Sequence, residues 1–328
     1  MTSGRRFKLP MFAWCLLAIA VVPFGWYHLS VQPGAALMRW LFELEPMVVG
    51  SDAVPLERPG VSETSGITIE APGWPDAQLN VYTPDATGSM PVLLWLHGGG
   101  FVANSAADVA GFARVVADND FVVAALDYSL APGSNYPTPL AQANAALAWL
   151  RDNAEQYGGD PSRFFIGGDS AGAQMTSQLA AMHGNEAYAA GFGFEPALPP
   201  GVLRGAIMYC GFYDVVTASE SGFPALRTFF WAYTGTRNWQ AFDRLDELSS
   251  VNHVTENFPA AFLAVGDADP FEGQAVQLAQ ALEQLGVDVT TQLFEDSGLG
   301  HEFQFNFELP EAVTTLHNTI TFMQEQSR

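Results

Sequence analysis

One serine, flanked by glycines between a strand pattern and a helix pattern, constrains the fold more than any other feature. Residues 163–166 form an aromatic and β-branched run, residues 168–172 read Gly-Asp-Ser-Ala-Gly, and residues 174–182 are rich in Ala, Gln and Leu. A sharp turn from strand to helix strains its central residue, and glycines two positions away leave room for that conformation. We therefore predict that Ser170 is a nucleophile at such a turn, facing the amides of the following helix.

Strand and helix patterns alternate along the chain. Residues 92–96 are continuously apolar, as expected for a central strand that is covered on both faces. Strand patterns also occupy residues 67–69, 79–83, 122–126, 205–209, 261–265 and 287–294, and helix patterns occupy residues 108–118, 139–157, 274–285 and 310–324. Strands separated by helices predict an α/β fold with a mostly parallel, doubly wound central sheet flanked by helices.

The domain organisation follows from where this alternation is absent. We predict three parts. Residues 1–31 form an apolar N-terminal membrane anchor or signal segment, residues 32–64 form a cap helix and a linker, and residues 65–328 form the α/β catalytic domain. Within that domain, residues 184–201 and 213–254 are rich in glycine, proline or aromatic residues and interrupt the alternation. We interpret both as insertions that fold over the carboxyl ends of the strands, with aromatic side chains that serve mainly in packing.

The N-terminal segment has the pattern of a membrane anchor. Arg5, Arg6 and Lys8 precede residues 9–31, an apolar run without acidic residues that is long enough for one membrane crossing or a signal peptide. No small-x-small cleavage site follows directly, and Trp26-Tyr27 resembles an interfacial belt. We predict an uncleaved signal-anchor in the inner membrane, with the rest of the chain exported to the periplasm or another extracytoplasmic space; a cleaved signal peptide and a buried amphipathic segment are the alternatives.

The chain is strongly acidic. Its 35 Asp and Glu residues against 13 Lys and Arg give a formal net charge of −22. This charge argues against nucleic acid as a partner and against a basic patch that binds anionic lipid. The two cysteines, Cys15 and Cys210, indicate neither a disulfide framework nor a zinc site.

A serine nucleophile needs a histidine base, and the base needs a carboxylate to orient it. When the chain order is serine, acid, histidine, the base lies on a loop after the last strand. His301 meets this condition, because it lies in the glycine-containing loop 297–303. The other histidines after Ser170 lie at a helix end, in an insertion and within a helix pattern: His183, His253 and His317.

The acid is expected on the loop after the preceding strand. Residues 261–265 lead into Gly266-Asp267-Ala268-Asp269-Pro270, which offers two aspartates. Composition alone does not separate them. Pro270 fixes the turn after Asp269 and mildly favours that residue, in which case Asp267 caps the following turn or helix.

Backbone amides are expected to stabilise the oxyanion of the reaction. One donor is the Ala171 N–H at the start of the helix, and others come from the glycines at 98–100, after the strand that ends at Leu96. We interpret His97 as an anchor of this loop rather than a second base. A phosphate site is disfavoured, because no Lys-Ser/Thr pair follows the glycines and no GxGxxG spacing is present.

Together these motifs resemble the hormone-sensitive-lipase-like family of bacterial esterases, over about residues 65–325. The motifs are His97-Gly98-Gly99-Gly100-Phe101, Asp127-Tyr128-Ser129-Leu130-Ala131-Pro132, Gly168-Asp169-Ser170-Ala171-Gly172, Asp269-Pro270 and Gly300-His301-Glu302-Phe303. The resemblance implies an α/β-hydrolase fold with a lid built from the N-terminal helices and the insertion after the nucleophile helix. It also implies that the substrates are small-molecule carboxylic esters with short-to-medium acyl chains, and that their hydrolysis needs no metal or organic cofactor.

The resemblance further implies individual roles. It selects Asp269 as the acid and makes the backbone of Gly98, Gly99 and Ala171 the oxyanion donors. The sequence departs from the family pattern at Ser129 and Gly133, where the family usually has arginine and glutamate. Since those residues are generally supporting, the departure concerns the local loop structure rather than the activity.

The resulting prediction is a serine carboxylesterase with the triad Ser170, His301 and Asp269. An amidase or an acyltransferase with the same triad is an alternative, because pocket shape and water access decide the acceptor. A non-catalytic, membrane-anchored binding protein on a hydrolase scaffold is disfavoured, because all three triad members are present.

Overall fold

A single mixed sheet organises residues 29–328, the part of the chain that the computed structural model describes. Its strands are β1 (Val61–Ile69), β2 (Ala77–Pro84), β3 (Met90–Leu96), β4 (Val122–Asp127), β5 (Gly159–Asp169), β6 (Leu203–Tyr209), β7 (Ala260–Ala264) and β8 (Val289–Gln292). Their spatial order is β1-β2-β4-β3-β5-β6-β7-β8. The β1–β2 and β2–β4 pairs are antiparallel, and every other pair is parallel. The predicted mostly parallel sheet is therefore confirmed.

Helices connect the parallel strands. In the described residues they are α1 (Gln32–Phe42), α2 (Ala110–Ala117), α3 (Thr138–Asn153), α4 (Ala171–Gly184), α5 (Glu186–Ala189), α6 (Val215–Ala218), α7 (Leu226–Thr234), α8 (Glu272–Gln284) and α9 (Pro310–Gln326). Proline in the first turn of α1, α3 and α9 suits a position whose backbone N–H has no partner within the helix.

The core centres on β3, the apolar strand singled out by the sequence. All seven of its residues are buried. At its carboxyl end the fully buried Trp95 ring contacts three aromatic rings, with centroid distances of 4.5 Å to Phe112, 5.3 Å to Tyr209 and 6.2 Å to Phe305. Burial of this aromatic surface fixes the strand whose last residue, Leu96, leads into the predicted oxyanion loop.

Two segments that are distant in sequence form one layer over the site. The insertion 213–254 supplies α6 and α7, and α1 packs against α7. The two helices approach closely at Gly34, where an added Cβ would lie 3.0 Å from Thr228 Cγ2. Nearer the site, the rings of Phe42 and Phe229 are 6.3 Å apart. The N-terminal helix and the insertion thus cover the site jointly.

The boundary between the N-terminal part and the sheet is not a free linker. β1 begins at Val61, ahead of residue 65, and Val48 and Val54 are buried. The Val49 N–H donates to Phe305 O (2.8 Å), and the Phe307 N–H donates to Val49 O (2.9 Å). This segment is therefore tied to the chain that follows His301.

The apolar run 9–31 lies, except for its last three residues, outside the described residues. Among residues 29–328, no helix has the length and apolar character needed to cross a bilayer.

Candidate active site

Ser170 occupies a strained turn between β5 and α4. Its backbone has φ 50° and ψ −113°, a conformation that residues with side chains rarely adopt. The two flanking glycines are required by close contacts with the end of β3. An added Cβ would lie 1.9 Å from Leu96 O at Gly172 and 2.6 Å from the same oxygen at Gly168. The Ser170 N–H donates to Tyr209 O (2.8 Å), which ties the turn to β6.

The three predicted catalytic side chains form one hydrogen-bonded chain. His301 Nε2 is 3.0 Å from Ser170 Oγ, and His301 Nδ1 is 2.8 Å from Asp269 Oδ2. The Asp269 side chain is fully buried, and its Oδ1 accepts the Phe271 N–H at 2.8 Å. The three residues follow β5, β7 and β8, whose carboxyl ends meet at the same edge of the parallel sheet. This is the geometry that nucleophilic catalysis by serine requires.

Asp267, the other candidate acid, binds backbone amides rather than His301. Its carboxylate accepts three consecutive backbone N–H groups of residues 297–299, at distances of 2.7, 3.0 and 2.7 Å. These bonds, led by the one from Gly298, lower the pKa of Asp267. Asp269 therefore holds the His301 ring, whereas Asp267 holds the loop that carries it. The sequence analysis expected Asp267 to cap the turn or helix that follows it; instead it caps this loop.

The predicted oxyanion donors are only partly brought together. Gly99 and Ala171 line the pocket at Ser170, and so does Gly100. Gly98 is not among the lining residues and lies against Asp169, whose Oδ2 atom would be 2.3 Å from an added Cβ. Gly99 and Gly100 have φ values of 100° and 59°, a left-handed backbone that favours glycine.

His97 anchors the oxyanion loop, as interpreted from the sequence. Its ring is fully buried, stacks on Tyr128 at 4.2 Å, and places Nδ1 2.8 Å from Gly98 O. The Tyr128 hydroxyl donates to His97 O (2.7 Å). Burial is the main cause that lowers the pKa of His97 to about 4, so the ring is neutral at physiological pH.

Gln142 fixes the loop in which this sequence departs from the family pattern. Its Oε1 accepts the Ser129 N–H at 2.8 Å, and its Nε2 donates to Ser129 Oγ at 2.8 Å and to Pro75 O at 2.7 Å. The buried Gln142 amide therefore hydrogen-bonds the backbone and the hydroxyl of Ser129 and links them to the backbone of Pro75. Sequence reasoning did not identify this residue, because Gln142 lies on α3, remote from the motif.

An apolar pocket of about 380 Å³ opens at Ser170, within the range of small-molecule sites. Six phenylalanines line it: Phe42, Phe101, Phe212, Phe223, Phe229 and Phe271. Phe223 and Phe229 come from the insertion 213–254, whose Phe230 and Trp239 pack on each other at 4.8 Å instead. The insertion aromatics therefore serve both packing and the pocket.

Glu302 is a site residue that the sequence analysis missed. It directly follows His301 with a left-handed φ of 64°, lines the pocket, and places Oε1 3.6 Å from His301 Nε2. Cys210, His301 and Glu302 also hold potential metal-ligand atoms within 4.8 Å of one another. However, both nitrogens of His301 are already engaged by Ser170 and Asp269, which leaves the ring no free ligand atom.

Comparison with known proteins identifies the family of this chain. Residues 93–305 match the family described as alpha/beta hydrolase fold, a range that is more than half of the chain and includes Ser170, Asp269 and His301. The chain belongs to the alpha/beta hydrolase family. The fold class and the family resemblance that the sequence motifs suggested are thereby confirmed.

Individual relatives are moderately similar. The chain is 29% identical over 277 residues to Esterase LipQ of Mycobacterium tuberculosis, covering 80% of this chain and 61% of that protein. It is 32% identical over 215 residues to the ethyl acetate hydrolase of Pseudomonas putida, covering 64% of this chain and 65% of that protein. The chain thus spans just under two thirds of the length of both relatives. In structure it is similar to a bacterial heroin esterase, with a TM-score of 0.68, 25% identity, and coverage of 82% and 86% of the two chains.

Proposed function

We propose that this chain is a serine carboxylesterase. The observation that carries the proposal is the continuous hydrogen-bonded chain from Asp269 through His301 to Ser170, at the mouth of an apolar pocket. The names of the relatives, an esterase and an ethyl acetate hydrolase, support it.

In the proposed reaction, Ser170 Oγ attacks the acyl carbon while its proton passes to His301 Nε2. Asp269 holds the Nδ1–H and stabilises the imidazolium. The N–H groups of Gly99, Gly100 and Ala171 stabilise the oxyanion. His301 then gives the proton to the departing alcohol, and a water molecule, deprotonated by the same nitrogen, attacks the acyl-enzyme to release the acid and restore Ser170.

The pocket favours esters with short-to-medium, uncharged acyl and alcohol groups. Its volume of about 380 Å³ is at the lower end of the usual range for small-molecule sites. The charged residues that line it, Glu45 and Glu302, are both acidic. An ester with a free carboxylate would therefore place like charges together at low dielectric, so we expect such substrates to be poor.

Replacement of the nucleophile tests the proposal. We expect Ser170→Ala to lower kcat on p-nitrophenyl acetate and butyrate by about 10³-fold or more, because no other group forms the acyl-enzyme. Ser219→Ala, at an exposed position of the insertion, is the matched control and should retain activity. Full activity of Ser170→Ala would overturn the proposal. A parallel panel of amides, and of esters with added alcohols, separates amidase and acyltransferase activities from hydrolysis.

We also propose that the N-terminal segment anchors the chain in a membrane, with the catalytic domain outside the cytoplasm. The apolar run 9–31 supports this, and α1 follows it directly. Five side chains of α1 and the residues just after it are large, apolar and exposed: Leu37, Trp40, Leu41, Phe42 and Leu44. Leu41 and Leu44 also line the pocket mouth, so an anchored chain would present that mouth toward the bilayer.

Fractionation of bacteria that express the full chain tests the anchor. We expect the wild type to stay in the membrane pellet after an alkaline carbonate wash, because an apolar segment of this length is not released by removing charge-based contacts. The double variant Leu16→Arg/Val21→Arg should be released, since arginine at the centre of a span is costly. A wild-type chain found wholly in the wash would contradict the anchor.

A further inference from the structure

Two acidic side chains meet behind the catalytic serine and histidine. Asp169 ends β5 directly before Ser170, and Glu302 directly follows His301. Their carboxyl groups lie side by side beneath the oxyanion loop. Both carboxyl groups lie next to Gly98, because a Cβ added there would lie 2.3 Å from Asp169 Oδ2 and 3.1 Å from Glu302 Oε1.

The hydrogen bonding at this point is incomplete when both groups are ionised. Asp169 Oδ1 accepts the Trp95 Nε1–H at 2.9 Å. Asp169 Oδ2 and Glu302 Oε2 are buried, and neither accepts a hydrogen bond from a donor in the described residues. A carboxylate can only accept, so two adjacent carboxylates leave each other unsatisfied, whereas one proton between them gives the pair a donor.

We propose that Asp169 and Glu302 share one proton, and that this singly protonated pair is a positioning device that holds the His301 loop against the turn at Ser170. The pair joins the residue before the nucleophile to the residue after the base. It therefore controls the 3.0 Å separation between Ser170 Oγ and His301 Nε2, on which proton transfer depends. Its effect on activity rests on the proposed esterase function, but the shared proton does not.

The surroundings of the pair favour the protonated form. Among residues 29–328, the titratable groups that face it are Asp269, His301, Cys210, Tyr128 and Tyr209. None of these is an arginine or a lysine that would compensate two negative charges. Burial is the first cause that raises the pKa of Asp169, and burial followed by the Asp169 charge raises the pKa of Glu302 well above its usual value.

Loss of the shared proton at alkaline pH would leave two adjacent buried carboxylates. Their repulsion would push Glu302 away from Asp169, and His301 would move with it because the two residues are neighbours in the chain. The structure thus predicts an alkaline decline in activity that the triad alone does not produce, since a neutral His301 is the active base.

Isosteric and truncating variants separate this device from simple packing. In Glu302→Gln and in Asp169→Asn, the introduced amide donates to the remaining carboxylate at every pH. We expect the kcat/KM of each variant, relative to its own value at neutral pH, to lack the alkaline decline of the wild type up to about pH 10. Glu302→Ala, which removes the connection, should lower kcat about tenfold or more across the range. Glu295→Gln, which removes an exposed charge from the same loop, should keep the wild-type profile.

Infrared spectroscopy detects the proton without reference to activity. At about pH 8 nearly all carboxyl groups are ionised, so a wild-type minus Glu302→Gln difference spectrum should contain the carbonyl band of one protonated carboxylic acid. Asp127, whose pKa is also raised with desolvation as the first cause, is present in both proteins and cancels.

Absence of this band, or superimposable pH profiles for wild type and Glu302→Gln, would overturn the proposal. Glu302→Gln as inactive as Glu302→Ala would also overturn it, because a shared proton is what the amide replaces. If wild-type Ser170 does not react with a fluorophosphonate, the esterase proposal fails instead, while the infrared band still decides whether the pair holds a proton.

Discussion

Side-chain direction separates the two aspartates that follow β7. The Asp269 side chain points inward, has no exposed surface and is 2.8 Å from His301 Nδ1. The Asp267 side chain points outward to the amides of residues 297–299. Both are needed to place one imidazole, since the first orients the ring and the second fixes the backbone on which the ring is carried.

Asparagine at these two positions should therefore have different effects. We expect Asp269→Asn to lower kcat by about 10³-fold or more, because an amide at this position no longer enforces the tautomer with hydrogen on Nδ1. Asp267→Asn should lower Tm while kcat at a temperature well below Tm falls by less than about tenfold. Steady-state kinetics and thermal unfolding of both variants check this. Equal losses of kcat would show that the distinction is wrong.

Asp267 also gives the fold a particular response to acid. Its pKa is lowered in the folded state, so its contribution to stability is present above its ordinary pKa of 3.8 and is lost as pH falls through the lowered value. We expect the difference in Tm between wild type and Asp267→Asn to shrink as pH decreases from about 6 to about 3. A difference that stays constant over this range would contradict the assignment.

At the scale of elements, the turn between β5 and α4 is set by how closely β3 approaches it. The Gly172 position has no room for a methyl group, because Leu96 O would lie 1.9 Å from it. That oxygen belongs to the last residue of β3, which leads into the oxyanion loop. Any adjustment at Gly172 therefore moves the nucleophile and the oxyanion donors relative to each other.

Alanine substitutions at two helical glycines test this close approach. We expect Gly172→Ala to destabilise the fold by about 2 kcal/mol or more and to abolish activity. Gly273→Ala is the matched control, because nothing lies within 4 Å of its added Cβ on α8; its stability should stay within about 0.5 kcal/mol of wild type or increase. Denaturant unfolding measures both. A stable, active Gly172→Ala variant would contradict the crowding.

The layer formed by α1 and α7 should limit acyl-chain length. Phe229 lies 6.3 Å from Phe42, ring to ring, and lines the pocket beside Gly100. We expect Phe229→Ala to raise the ratio of kcat/KM for p-nitrophenyl octanoate to that for the acetate by about fivefold or more, because the truncation enlarges the pocket. Phe230→Ala, from the packed side of the same helix, should lower Tm without raising this ratio. An unchanged ratio in Phe229→Ala would exclude a limiting role for this ring.

Periodicity and turn chemistry predicted the elements well, because the pattern of apolar residues within each strand and helix already indicates which of its faces are buried. The position of the continuously apolar strand at 92–96 and the nucleophile turn are examples. Choices that depend on three-dimensional direction were harder. Composition did not separate Asp267 from Asp269, and the glycines at 98–100 differ only in which amides face the pocket. The contact of Glu302 with Asp169 joins residues that are distant in sequence, so the one available signal was an acidic residue directly after the base.

At the scale of the whole molecule, the net charge of −22 acts against the compact state. We expect Tm to rise by several degrees, about 3 °C or more, between about 10 and about 300 mM NaCl, because the Debye length falls and self-repulsion between exposed carboxylates weakens. Sucrose of equal osmolality is the control, since it does not screen charge. A Tm that is independent of salt would show that the acidic surface carries no net repulsion.

The order of the strands also determines when the enzyme becomes active during its synthesis. Ser170 and His301 are 131 positions apart in the chain, and Asp269 and His301 both follow strands on the far side of β6. A growing polypeptide therefore completes its nucleophile turn long before its base leaves the ribosome. With Ser170 as the proposed nucleophile and His301 as its proposed base, Ser170 has the reactivity of any other serine until β7, β8 and their loops have docked. The first appearance of hydrolysis consequently reports that the sheet is complete. The time at which Ser170 becomes acylated therefore measures how long the sheet takes to fold.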